Sequence, residues 1–170
     1  MTEEDRKRIL EEIIYNSDAV SIILYYMNEK IDSHEIKLPG NHNTYSYFMT
    51  GHCNLYSLIL CKIFGKYATP YANSGHIVTK IGNDYYDATG FVTYEIKSNT
   101  NISEKRYHEY TIDKLTDIKS AGLGLYDPTE DDEIIKQLVE VGKFLLDSKI
   151  NYKYEMEHAL EQKENRTHKL

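Results

Sequence analysis

The segment at 54–64, NLYSLILCKIF, is the feature that most constrains the fold, because it is apolar on nearly every side of a helix. Asn54, Ser57 and Lys62 are its main polar interruptions, and Gly65 supplies a stop at its C-terminal end. A helix that is apolar all round is buried, not laid on a surface. The sequence therefore predicts a domain built around one central helix.

Both ends of the chain show apolar residues at helical spacing. The first 30 residues form one pattern, which begins at a capping box from Thr2 to Asp5 and is interrupted by polar residues at 16–18. A second helix is predicted from Asp127-Pro128-Thr129, with acidic residues at 130–133 in its first turns. These helices are expected to flank the central one.

Length and charge limit the classes of protein. With 170 residues, the chain is expected to form a single catalytic-type domain over 1–150, followed by a frayed helix or disordered polar tail at 151–170. A net charge of −7 without clustered Lys and Arg argues against a nucleic-acid partner. No apolar run reaches about 18 residues, so we expect no membrane span and a cytoplasmic location.

Strand patterns follow the central helix. The runs HIVTKI at 76–81 and DYYDAT at 84–89 are joined by Gly82-Asn83, which suits a two-residue hairpin turn. Further strands are predicted over 67–72, 91–96 and 107–112. A surface loop is predicted between Asp32 and Tyr47, where helical periodicity stops. Helices that flank a small antiparallel sheet indicate the α+β class.

Cys53 lies where a cysteine is most easily activated. Thr50 is the expected N-cap, which places Cys53 in the first turn of the central helix. Backbone N–H groups there have no partner within the helix, and the helix dipole favours negative charge. Gly51 lets a substrate backbone come close. We therefore predict that Cys53 is a nucleophile whose thiolate is stabilised by this position.

The hairpin provides partners for Cys53. If Gly82 and Asn83 form the turn, Ile81 faces Asp84 and Val78 faces Asp87. His76 then lies on the same face as Asp87, as its diagonal neighbour. At such a distance, of roughly 7 Å between backbones, a carboxylate can reach an imidazole. The register predicts that His76 is the base and that Asp87 orients it.

These residues carry a family resemblance. Gly51-His52-Cys53 opens an apolar helix that ends at Phe64-Gly65, followed by His76-Ile77-Val78 and by 81–90, IGNDYYDATG. Over 51–90 the chain resembles the papain-like, transglutaminase-like superfamily, and also the arylamine N-acetyltransferases. The resemblance implies an α+β fold with the cysteine helix packed on an antiparallel sheet, and a Cys53, His76 and Asp87 triad. The chain departs from the pattern in having no tryptophan and in the short interval between Cys53 and His76.

The resemblance leaves the reaction open. Peptidases, glutamine deamidases and transglutaminases share a thioester intermediate, and each would act on a protein or peptide substrate. An inactive member of the fold that binds or inhibits a partner is the alternative from another class, and acetyl transfer ranks last because no cofactor motif is present. Substrate-binding or oxyanion candidates, by location, are Gly51, His52, Asn43, Tyr45 and Tyr47.

No metal or cofactor is predicted. His34, His42, His52 and Cys53 are potential zinc ligands, but their spacing does not match the usual pairs separated by two to five residues. Cys61 is expected to be a core residue. Cys53 and Cys61 lie eight positions apart on one helix and are expected to be free thiols. The sequence does not indicate an oligomeric state.

Overall fold

The computed structural model describes residues 1–98, 106–116 and 126–168, and its architecture is α+β. The helices in these ranges are α1 Glu3–Ile14, α2 Ser17–Asp32, α3 Thr44–Phe48, α4 Cys53–Phe64, α5 Thr93–Ser98 and α6 Pro128–His168. The strands are β1 Ala68–Ala72, β2 Ile77–Ile81, β3 Asp84–Asp87, β4 Gly90–Phe91 and β5 His108–Glu109. They form one antiparallel sheet in the order β4-β3-β2-β1-β5.

The capping box predicted at the start of α1 is present. The Thr2 hydroxyl accepts a hydrogen bond from the Asp5 backbone N–H, and the Asp5 carboxylate accepts one from the Thr2 N–H. The interruption at 16–18 separates α1 from α2, because the Asn16 side chain accepts from the N–H groups of Asp18 and Ala19 and caps α2. The polar break is therefore the start of a second helix.

Helix α4 is the buried centre of the domain, as predicted. Every residue from Cys53 to Phe64 except Lys62 is buried. One side of α4 packs on the sheet, where the hydroxyls of Ser57 and Thr79 are 2.7 Å apart. The other side packs on α6 at Gly142, where an added Cβ would lie 2.2 Å from Ile63 Cδ1. Each large aliphatic side chain buried here contributes about 1.5–3 kcal/mol to folding.

The hairpin register is confirmed. Ile81 pairs with Asp84, Lys80 with Tyr85 and Thr79 with Tyr86, so the turn contains only Gly82 and Asn83. Gly82, the first central residue of the turn, has φ of 63°, which glycine adopts without strain. The register carries Asp87 to the end of β3 on the face that the sequence predicts.

The predicted strand over 91–96 is wrong beyond its first residue. Strand β4 ends at Phe91, and α5 begins at Thr93. The Thr93 hydroxyl accepts from the Tyr85 N–H at 2.9 Å and donates to Asp84 Oδ1 at 3.0 Å. These bonds to β3 turn the chain out of the sheet. Ile96 of α5 then packs in one apolar cluster with Val78.

The predicted loop and the two remaining predicted strands correspond to short elements of the structure. Between Asp32 and Tyr47 the chain forms a 3₁₀ turn at Pro39–Asn41 and then enters α3. Strand β1 lies within 67–72 and β5 within 107–112, and a 3₁₀ turn at Ile112–Thr116 follows β5.

Helix α6 continues past Asn151 to His168. Arg8 on α1 makes hydrogen bonds of 3.1 and 2.8 Å to the two carboxylate oxygens of Glu157. All residues from 158 to 168 are exposed. None of the helices described is long and apolar enough to cross a membrane.

Candidate active site

Cys53 is the first residue of α4. The N-cap is His52, and its side chain makes no capping hydrogen bond. The prediction of Thr50 as the N-cap is wrong, because α4 begins only at Cys53; the Thr50 hydroxyl donates instead to the Ser46 carbonyl of α3. Cys53 thus lies closer to the positive end of the helix dipole than the sequence predicts. The backbone N–H groups of the first turn lie at this end of the helix, where that of Leu55 already donates to the His52 carbonyl oxygen.

A tight turn between β1 and β2 positions His76. The Asn73 side-chain oxygen accepts hydrogen bonds from the N–H groups of Gly75 at 2.9 Å and His76 at 2.8 Å. The Asn73 N–H donates to the His76 carbonyl at 3.0 Å. His76 is therefore fixed through its backbone at the mouth of the hairpin, one residue before β2.

Asp87 is held between His76 and Thr89. His76 Nε2 and Asp87 Oδ2 are 2.9 Å apart. The other carboxylate oxygen accepts from the Thr89 N–H at 2.8 Å and from its hydroxyl at 2.5 Å. The Asp87 side chain is 8 % exposed and that of His76 is 20 % exposed. Because both oxygens are bonded, the carboxylate is fixed in the orientation that holds the imidazole.

His76 also forms a hydrogen bond with the Cys53 side chain. Nε2 is taken by Asp87, which leaves Nδ1 for the thiol. Burial lowers the pKa of His76, but the hydrogen bonds to Asp87 and Cys53, together with their negative charges, outweigh it and raise the pKa to about 9. At neutral pH the ring therefore carries a proton that can neutralise a thiolate or protonate a leaving group.

Gly51 and His52 lie directly before the thiol. Gly51 has φ of 123°, a conformation that residues with a Cβ rarely adopt, and the space beside it is open. The His52 ring stacks on Tyr47 with centroids 4.1 Å apart, and its Nδ1 lies 3.2 Å from the Tyr47 carbonyl oxygen. His52 thus connects the start of α4 to α3.

The three remaining candidates for substrate binding or the oxyanion, Asn43, Tyr45 and Tyr47, have contacts or exposure that do not relate them to the thiol. Asn43 caps α3, with its side-chain oxygen accepting from the Ser46 N–H at 2.7 Å. The Tyr47 hydroxyl donates to the buried Asp131 carboxylate at 2.7 Å. Tyr45 is 62 % exposed and lines a cavity of about 700 Å³ with residues of α2 and with Thr89. The hydrogen bonds and exposure of these three side chains do not direct them at the thiol.

Cys61 lies in the interior, as expected, and both cysteines are free thiols. Burial raises the pKa of Cys61 to about 11, although a hydrogen bond with Ser57 acts in the opposite direction. A thiol with that pKa is almost fully protonated at neutral pH and is a poor nucleophile.

Sequence reasoning missed Tyr107 and the role of Asn73. Tyr71 pairs with Glu109 and Ala72 with His108, so the same register places Asn73 opposite Tyr107. The Asn73 side chain hydrogen-bonds to the Tyr107 hydroxyl. Asn73-Ser74-Gly75 is visible in the sequence as a turn, but nothing local in the sequence indicates that Tyr107 returns to it.

Among the residues that the structure describes, no group of three or more His, Cys, Asp or Glu side chains is arranged to hold a metal ion. Comparisons with protein-family models, with curated proteins and with solved structures give no match for this chain. The fold and the site define an α+β domain with a Cys53, His76 and Asp87 cluster at the start of its central helix.

Proposed function

We propose that this protein is a cysteine-dependent amide hydrolase or acyl transferase of the papain-like, transglutaminase-like type. One observation carries the proposal: the imidazole of His76 hydrogen-bonds to both the Cys53 side chain and the Asp87 carboxylate, and Cys53 begins a helix. The order of the three groups and the packing of α4 on an antiparallel sheet also support it.

The chemistry follows from the positions of these groups. The Cys53 sulfur attacks the carbonyl carbon of an amide, and a C–S bond forms as the carbonyl electrons move onto oxygen. The C–N bond then breaks, and the His76 imidazolium gives its proton to the leaving amine. Water or a second amine, deprotonated by His76, attacks the thioester and releases Cys53. Asp87 keeps the ring oriented throughout.

The substrate proposed is a protein or peptide. Water as the final acceptor gives peptide cleavage or glutamine deamidation, whereas an amine gives transamidation. A second candidate, a catalytically idle binding module, is favoured by the 6 % exposure of Cys53, which limits access to the sulfur.

Acylation by a small activated ester tests the proposal. We expect p-nitrophenyl acetate to place one acetyl group on Cys53, detected by peptide mass spectrometry. Cys53→Ala should remove this label, and the matched variant Cys61→Ala should keep it. A wild-type protein that acquires no acetyl group and releases p-nitrophenolate no faster than Cys53→Ala, or that is acetylated on Cys61 alone, would support the binding module.

The reaction type is then separated on protein substrates. Candidate proteins are incubated with the wild type or with Cys53→Ala, with or without added methylamine. A mass gain of about 1 Da indicates deamidation, a gain that appears only with methylamine indicates transamidation, and two fragments indicate cleavage.

A further inference from the structure

Carbonyl chemistry at Cys53 needs a donor for the oxygen that becomes negative, and Tyr107 is placed to be one. Tyr107 directly precedes β5 and Asn73 directly follows β1, so extending the Ala72–His108 pairing by one residue sets the two opposite each other. Directly opposed residues of an antiparallel pair project to the same face. Tyr107 and Asn73 therefore share a face of the sheet edge beside the turn that carries His76.

Asn73 connects Tyr107 to the base. Its side-chain oxygen is used by the N–H groups of Gly75 and His76. Because that oxygen is already occupied, the amide nitrogen is the group of Asn73 left to donate to the Tyr107 hydroxyl oxygen. A phenol that accepts a hydrogen bond still has its own O–H to donate.

The ring of Tyr107 is held in place and remains protonated. It packs against a small apolar cluster formed by Val78, Val92 and Ile96. Burial and the negative charges of Asp87 and Cys53 raise the pKa of Tyr107. The raised pKa keeps the phenol in its donor form at neutral pH.

We infer that the Tyr107 hydroxyl donates a hydrogen bond to the substrate carbonyl oxygen as Cys53 attacks, which makes Tyr107 a catalytic residue. The inference rests on the function proposed above. As the C–S bond forms, the carbonyl electron pair moves onto oxygen and the Tyr107 O–H stabilises the oxyanion. When the C–N bond breaks, the pair returns to the carbonyl and the phenol keeps its proton throughout.

Two reactions of the same thiol separate this role from a structural one. Iodoacetamide alkylates Cys53 at a carbon without forming an oxyanion, whereas p-nitrophenyl acetate acylates it through one. Tyr107→Phe should slow acylation by roughly 10- to 100-fold, because one oxyanion donor is lost. It should leave the alkylation rate within about twofold, because the thiolate and His76 are unchanged.

Tyr85→Phe is the matched control, since Tyr85 packs against the same apolar cluster. It should leave both rates unchanged. If Tyr107→Phe folds poorly by circular dichroism, Asn73→Asp serves as the second variant. It keeps an oxygen for the turn but cannot donate to Tyr107, and it should slow acylation more than alkylation.

The outcomes distinguish the inference from the proposed function. Equal acylation rates for the wild type and Tyr107→Phe, with Cys53 still reactive, would overturn the inference alone. Equal losses in acylation and alkylation would overturn it too, because they indicate that Tyr107 only supports His76. Failure of wild-type Cys53 to react with either reagent faster than a model thiol would overturn both.

Discussion

Cys53 and Cys61 are on the same helix and are almost equally covered, with 6 % and 5 % of their surfaces exposed. Their neighbours differ. Cys53 begins α4 and bonds to a histidine held by a carboxylate, whereas Cys61 lies among apolar residues with Ser57 as its polar partner. The comparison shows that exposure does not separate a candidate nucleophile from a core thiol. The partners of the sulfur do.

The sharpest form of this comparison is the reactivity of the two thiols in one chain. We expect iodoacetamide at pH 7 to alkylate Cys53 at least about 10³-fold faster than Cys61, because only a thiolate reacts and Cys61 ionises rarely. Peptide mapping after timed quenching measures both rates in the same sample. Comparable rates would remove the distinction between the two sites.

His76→Gln tests whether the partner of the sulfur is the cause. The variant retains a polar side chain but cannot carry the proton, so the alkylation rate of Cys53 should fall roughly 100-fold. The rate at Cys61 in the same sample is the internal control and should not change. A reactive Cys53 in this variant would assign its reactivity to the helix terminus alone.

Asp87 and Thr89 should show graded effects of smaller size. Asp87→Asn removes the charge that raises the pKa of His76, and should slow alkylation of Cys53 about tenfold.

Thr89→Val removes the hydroxyl bond to Asp87 Oδ1 but keeps the backbone bond, and should slow alkylation of Cys53 about threefold. If Thr89→Val had the larger effect, Asp87 would not act by orienting His76.

The smallest expected effect is on stability as a function of pH. Folding raises the pKa of His76 from 6.5 to about 9, so its stabilisation is complete below about pH 6.5 and is lost as the pH rises through about 9. Between these limits the free energy of unfolding of the wild type should fall by about 1–2 kcal/mol relative to His76→Gln, after discounting for solvent screening.

Urea unfolding at about pH 6 and about pH 9.5 measures this difference. Asp87→Asn is the matched variant, because it keeps the imidazole and removes the charge that holds its proton. It should show a smaller pH dependence than the wild type. A wild type that gains stability over this range relative to His76→Gln would contradict the sign of the shift.

The parts of the fold that the sequence predicts are those with local signals. All-round apolar character indicates α4, and Gly82-Asn83 sets the hairpin register that brings Asp87 to His76. Residues 91–96 alternate as a strand would, yet Thr93 bonds to β3 and starts a helix. That outcome depends on tertiary contacts, which local propensity does not contain.

The residues of the candidate site also differ in how far local sequence patterns predict them. Cys53, His76 and Asp87 come from a helix start and one hairpin, so short-range patterns place them. Tyr107 is 34 positions after Asn73 in the sequence, and only the pairing of β5 with β1 brings the two together. Thr50 also shows this limit, because a good capping residue bonds instead to Ser46 of the preceding helix.

The burial of α4 has a consequence for how the protein would lose function. A sulfur on a loop can be displaced by local fluctuation, but Cys53 begins an element whose residues are buried on nearly every side. Such an element opens mainly when the whole domain unfolds. Inactivation by heat should therefore coincide with loss of tertiary structure, and the reactive geometry should persist for as long as the core does.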